Sequence, residues 1–90
     1  MPAGWLYIMT NRPNGTLYTG VTSNLAARVT AHKDCTGSMF TARYNLQRLV
    51  YAEQHGDMLS AIQRETNVKR WPRAWPVRLI VAGNPDWDDL

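Results

Sequence analysis

Two β-prone runs, Trp5-Leu-Tyr-Ile-Met9 and Leu17-Tyr-Thr-Gly-Val21, flank Asn11-Arg-Pro-Asn-Gly-Thr16, a dense turn signal with Asn14-Gly15 at its centre. Asn-Gly between such runs is a strong short-range mark of a β-hairpin. Side chains alternate between the two faces of a strand. A two-residue loop closing on Asn14-Gly15 would set Tyr7, Tyr18 and Gly20 on one face. Two phenols would then meet beside a position with no side chain, where a bulky group can approach the backbone. A bulge in the turn would put them on opposite faces.

Beyond the hairpin, helix and strand signals alternate along the chain. Ser23 can cap a helix over residues 24–33, on which Arg28 and His32, four apart, share a face. Residues 34–45 have no clean period, and their Gly, Ser and Thr suggest a loop with one short helical turn, carrying Arg43 and Tyr44. Arg48-Leu-Val-Tyr-Ala-Glu53 is β-prone and predicts a third strand. Asp57 caps a second helix running to about residue 70, with Met58, Ala61, Ile62 and Val68 as its apolar stripe. Glu65 falls on that stripe. An inward carboxylate is costly unless paired or metal-bound, so it is a buried ion pair, the mark of a slightly rotated helix, or a metal ligand. Val77-Arg-Leu-Ile-Val81 reads as a strand by alternation and as a short helix by Pro76 at its start. Asp86-Trp-Asp-Asp-Leu90 is an acidic tail with one aromatic anchor.

Ninety residues make one domain with a modest core, so 1–90 is read as a single unit. No apolar run approaches the ~18–20 residues of a membrane span, and no signal peptide is visible. Cys35 is the one cysteine and has no partner for an internal disulfide, which fits a reducing cytoplasm. Residues 1–85 carry ten Lys and Arg against four Asp and Glu, or +6, and eight of the ten are arginine. The planar guanidinium suits phosphate oxygens, so the excess points either to a polyanionic partner or to simple solubility.

Several familiar chemistries are excluded. Cys35, His32 and His55 lack zinc spacing, Gly15 and Gly20 fit no phosphate-binding loop, and a Cys35 nucleophile would need His32, three residues away, as its base, but the chain after Lys33 looks irregular. Tyr7, Tyr18, Arg28, His32 and Glu65 remain. As a set they suit attack on a phosphodiester, which needs a base for water, cations for the phosphoryl oxygens and help for the leaving oxygen. A phenol, with its ordinary pKa of ~10, is a poor base at neutral pH unless a second phenol or a cation assists it. One carboxylate can hold one hard divalent ion, with water and phosphate in the other positions.

These residues resemble a GIY-YIG nuclease domain of the small URI type. The likeness runs through Leu6-Tyr7-Ile8, Tyr18-Thr-Gly20, Val21 to Arg28 and on to His32, Leu49-Val-Tyr51, Ala61 to Glu65, Arg73-Ala-Trp75 and Asn84-Pro-Asp-Trp87, in order along nearly the whole chain. It departs at Leu6, where the family has Gly, at Thr19, where it has Ile, and at Pro72 and Pro76. The resemblance implies an α+β fold, a small three-stranded antiparallel sheet flanked by helices, and it favours a helix over 76–82. It implies a Mg²⁺- or Mn²⁺-dependent phosphodiesterase, with Glu65 as metal ligand, Arg28 as the essential arginine, Tyr7 as base supported by Tyr18, and His32 assisting. Gly20, Arg43, Lys69 and Asn84 are the expected substrate contacts. The expected partner is nucleic acid, DNA before RNA, with weak sequence preference and a role in repair or recombination, or with a protein partner supplying specificity. The competing reading is a non-catalytic nucleic-acid-binding module on the same fold, and a third is a fold in which the tyrosines merely pack. The nuclease reading expects the tyrosines, Arg28 and Glu65 to converge on one solvent-reached pocket.

Overall fold

The computed structural model describes residues 3–34 and 39–90. Its elements run β1 (Gly4–Thr10), β2 (Leu17–Thr22), α1 (Leu25–Lys33), α2 (Met39–Arg43), β3 (Arg48–His55), α3 (Met58–Lys69) and α4 (Ala74–Gly83). Cys35, with the thiol question attached to it, lies outside the described residues. The strands form one antiparallel sheet in the order β2-β1-β3. The strand order explains why β1 is so apolar: as the central strand it is covered on both faces, and Leu6 through Thr10 are fully buried.

The hairpin closes with a different loop from the two-residue one. Thr10 pairs with Leu17, so residues 11–16 form a six-residue connection. Gly15 N–H donates to Arg12 O at 2.9 Å and Asn14 sits at φ 57. Proline at the second position and a left-handed residue at the third are the marks of a type II turn. The register, Tyr7 opposite Gly20 and Met9 opposite Tyr18, is offset by two residues from the shorter loop. An offset of two leaves every side chain on its original face, so Tyr7, Tyr18 and Gly20 do share one.

Each face of the sheet has its own layer. Tyr7, Met9, Leu46 and Leu49 form one cluster, joined by Leu25 and Val29 of α1. Ile8, Val50, Ile80 and Trp87 form the other, beneath α4. A β-bulge between Ile8 and Met9 lets Val50 and Tyr51 both serve the second cluster. On that second side α3 lies close over β1: a Cβ at Gly4 would come within 2.8 Å of Ala61 Cβ.

The helix ends show why the chain breaks where it does. Asn24, one residue later than expected, caps α1 by accepting from Ala27 N at 3.1 Å. Asp57 caps α3 by accepting from Ser60 N at 2.7 Å. Residues 74–83 are helical, and Pro76 sits in the first turn, where its missing N–H is not needed. The acidic tail is docked: Asp89 pairs with Lys33 and accepts from Leu49 N at 2.8 Å, and Trp87 is buried. Asn84, expected among the substrate contacts, is spent here. Its amide donates to Val50 O and Asp88 O and accepts from Asp88 N, all inside the fold.

Candidate active site

The site is built from the hairpin face upward. Tyr7 on β1 points beneath α1, where Arg28 and His32, one turn apart, both reach its hydroxyl. Tyr7 Oη lies 2.8 Å from His32 Nε2, and Arg28 Nε donates to the same oxygen at 3.4 Å. His32 Nδ1 lies 3.0 Å from Thr41 Oγ1 of α2. His32 and Thr41 are fully buried, as is Tyr7. Tyr18, on β2, packs its ring 6.3 Å from that of Tyr7 and 5.4 Å from that of His32.

Gly20 explains how the phenol fits. A Cβ there would lie 2.6 Å from Tyr7 Oη and 2.7 Å from Cζ. The open position anticipated at Gly20 is therefore filled by Tyr7 itself, so Gly20 seats the phenol from below.

The electrostatics follow from the same packing. Burial pushes the Tyr7 hydroxyl above its ordinary value of 10.0; hydrogen bonding to Arg28 works the other way, and Tyr18 adds to the rise. Burial lowers His32 below its ordinary 6.5, and the Arg28 guanidinium lowers it further. A neutral imidazole at neutral pH donates from one nitrogen and accepts at the other. One arrangement consistent with these contacts has Arg28 donating to the phenol oxygen, the phenol donating to His32 Nε2, and Nδ1–H donating to Thr41.

The other expected residues are placed differently. Glu65 is carried by α3, which covers the opposite face of the sheet, and its carboxylate pairs with Lys69 at 3.3 Å. Its side chain is 19% exposed, so the stripe Ala61–Glu65–Val68 faces in while Ile62, 44% exposed, faces out. A groove wrapping the outer edge of β2 links the two faces, with Tyr18 from one and Val68 and Lys69 from the other. Tyr18 opens on this groove; Tyr7, Arg28 and Glu65 are not among the residues that line it, which corrects the expectation that the tyrosines, Arg28 and Glu65 converge on one solvent-reached pocket. Arg43 lies exposed over the Tyr44 ring at 5.6 Å.

Thr41, Phe40 and Trp71 carried no expectation. Phe40 and Tyr44, at helical spacing, offered a signal in the aperiodic segment; Thr41 offered none. Among the described residues no three His, Cys, Asp or Glu side chains gather as a metal cage. Glu65, paired with Lys69, does not line the groove; a single carboxylate of this kind could hold one hard divalent ion, with water and phosphate as its other ligands.

The GIY-YIG catalytic domain family matches residues 3–78. A UPF0213 protein of Desulfotalea psychrophila is 39% identical over 70 residues, 77% of this chain and 63% of that protein. The chain thus spans less than two thirds of that relative's length. A UPF0213 protein of Staphylococcus haemolyticus is 31% identical over 80 residues, covering 89% of this chain and 96% of its own. The solution NMR structure of a UPF0213 protein from Bacillus halodurans superimposes with a TM-score of 0.57 at 24% identity, over 94% of this chain and 92% of that one. It has the same fold.

Proposed function

The chain belongs to the GIY-YIG family, a family of nuclease domains, and from that premise we propose that it is a Mg²⁺- or Mn²⁺-dependent phosphodiesterase acting on nucleic acid, DNA before RNA. The observation that carries the reading is the Tyr7 hydroxyl held between His32 Nε2 at 2.8 Å and Arg28 Nε at 3.4 Å. A phenol so placed accepts a proton from water while passing its own to the imidazole, and Arg28 steadies the negative charge that develops on the oxygen. In this reading Thr41 accepts from His32 Nδ1–H, which leaves Nε2 to accept. Tyr18, half-buried at the groove, would orient the attacked phosphate on the side of the ring that packs on the buried phenol. Glu65 would hold the divalent ion, and Lys69, its present partner, would turn to phosphate. A bound cation supplies Lewis-acid stabilisation of phosphoryl charge.

The assay is incubation with nicked, flapped, single-stranded and duplex DNA, with and without divalent metal. Glu65→Gln and Arg28→Ala are each expected to lower cleavage by ~100-fold or more; cleavage that survives in both sinks the site. The full burial of Tyr7 favours the second reading, a binding module without turnover. That reading expects salt-sensitive binding and no cleavage with any metal.

A further inference from the structure

The groove at the outer edge of β2 is more than an approach to the phenols. Its volume is about 520 Å³, within the ~300–1,000 Å³ typical of small-ligand pockets. Tyr18 and Phe40 line it from the β2 and α2 side; Lys69, Trp71 and Arg73 line it from the end of α3 and the segment after. Three aromatic rings and two cations thus share its lining with Leu17, Thr19, Val68 and Pro76, and no carboxylate stands among the described lining residues.

The aromatic groups are held in place. Tyr18 and Phe40 have ring centroids 6.0 Å apart, and Phe40 packs on Tyr44 at 4.8 Å. Together with Tyr7 they form a row leading from the buried phenol to the surface. Phe40 is 44% exposed, so part of its ring is open to a ligand. Trp71 is fixed by the Arg64 guanidinium, 4.9 Å from its centroid, and by Trp75 at 5.7 Å. The cations continue beyond the groove, since Arg73 also lines a hollow at the hairpin turn with Arg12.

Continuous duplex would use the cations of such a groove and leave the rings idle, because its bases are stacked inside the helix. A strand with an unpaired base uses both: the π-face stacks on the rings while the flanking phosphates meet Lys69 and Arg12, beside Arg73, whose Nη2 donates to Asn14 O and Gly15 O of the hairpin turn. We propose that this groove receives an unpaired nucleobase, so that the substrate is DNA with single-stranded character, with Phe40 and Trp71 as the residues that select it. The proposal rests on the nucleic-acid reading of the chain and names the substrate class of that same site.

The test begins with the unaltered protein, so folding of a variant is not at issue. Binding is measured in chelator by fluorescence anisotropy and by tryptophan quenching. The probes are an oligothymidylate, its abasic counterpart of equal length and charge, and a blunt duplex of that length. Base stacking on aromatics predicts that oligothymidylate binds at least about 10-fold tighter than the abasic strand and quenches tryptophan. Phe40→Leu and Trp71→Leu should each shrink that ratio. Equal affinity for the oligothymidylate and the abasic strand, or tighter binding of duplex, overturns the proposal. Cleavage assays with metal separate it from the reading it rests on. Metal-dependent cleavage alongside equal affinity removes the groove's role and leaves the phosphodiesterase standing. A stacking preference with no cleavage under any metal does the reverse.

Discussion

Tyr7 and Tyr51 make a natural experiment within one sheet. They sit on neighbouring strands and face opposite sides. Burial raises the pKa of both, but their partners differ in sign. Tyr51 donates to the Glu53 carboxylate, which Arg64 and His55 also bind. Burial and that carboxylate together push Tyr51 up to about 12. Tyr7 has a guanidinium and a neutral imidazole instead. A phenolate at Tyr51 would lie against an anion; one at Tyr7 would lie against a cation. The same side chain thus meets an anion that adds to the effect of burial in one place and a cation that opposes part of it in the other.

The largest expected effect breaks that contrast directly. Tyr7→Phe is expected to lower metal-dependent cleavage by ~100-fold or more, the scale of losing a proton-transfer group. Tyr51→Phe is expected to leave cleavage unchanged. Equal losses in the two variants, measured on protein shown folded by circular dichroism, would erase the distinction between the two phenols. Tyr7→Phe also leaves the buried Nε2 of His32 without its Tyr7 partner, so a stability cost of about 1–3 kcal/mol is expected alongside.

A second pair of variants sharpens the comparison on the stability axis. Glu53→Gln removes the anion that Arg64 and Tyr51 share, at sites only 31% and 20% exposed for Arg64 and Glu53. With solvent screening allowed for, a loss of about 1–3 kcal/mol in urea denaturation is expected, without loss of cleavage. Gly20→Ala costs a similar ~1–3 kcal/mol by overpacking, but its Cβ lands on Tyr7 Oη and Cζ, so cleavage falls too. Retained cleavage in Gly20→Ala would show that the phenol's seat does not matter.

These variants also mark what could be read from the chain in advance. The shared face of Tyr7, Tyr18 and Gly20 was legible because face depends on parity alone, and a six-residue loop preserved the parity of a two-residue one. The Arg28–His32 pairing was legible from helical spacing. The start of α1 shifted by one because Ser23 and Asn24 are both capable caps, and the longer Asn24 side chain reaches Ala27 N. Residues 77–81 fit either period, and Pro76 in a first turn decided for helix. Three things were hidden because they depend on segments distant in sequence. The burial of Tyr7 requires the α1 and α2 layer above it. The commitment of Asn84 to the tail requires β3 and residue 88. The groove draws on β2, α2 and the end of α3.

The smallest expected effect concerns pH and rests on His32. Burial, then the Arg28 guanidinium, depresses its pKa below the ordinary 6.5. The folded protein therefore keeps His32 neutral where the unfolded chain has begun to bind a proton. Where the unfolded state holds more protons, stability falls as pH falls. The loss from this group starts as pH drops through about 6.5 and ends once the folded state is protonated too. Its slope is at most about 1.4 kcal/mol per pH unit for one proton. Glu53 and Asp89 have pKa values lowered from 4.5 and 3.8, so their losses belong to more acidic solutions. Urea denaturation from pH 7 to pH 5 should show stability declining in the natural protein and declining less in His32→Gln. An identical slope in both would mean that the imidazole under α1 is not held neutral, and with it would go the acceptor that distinguishes Tyr7 from Tyr51.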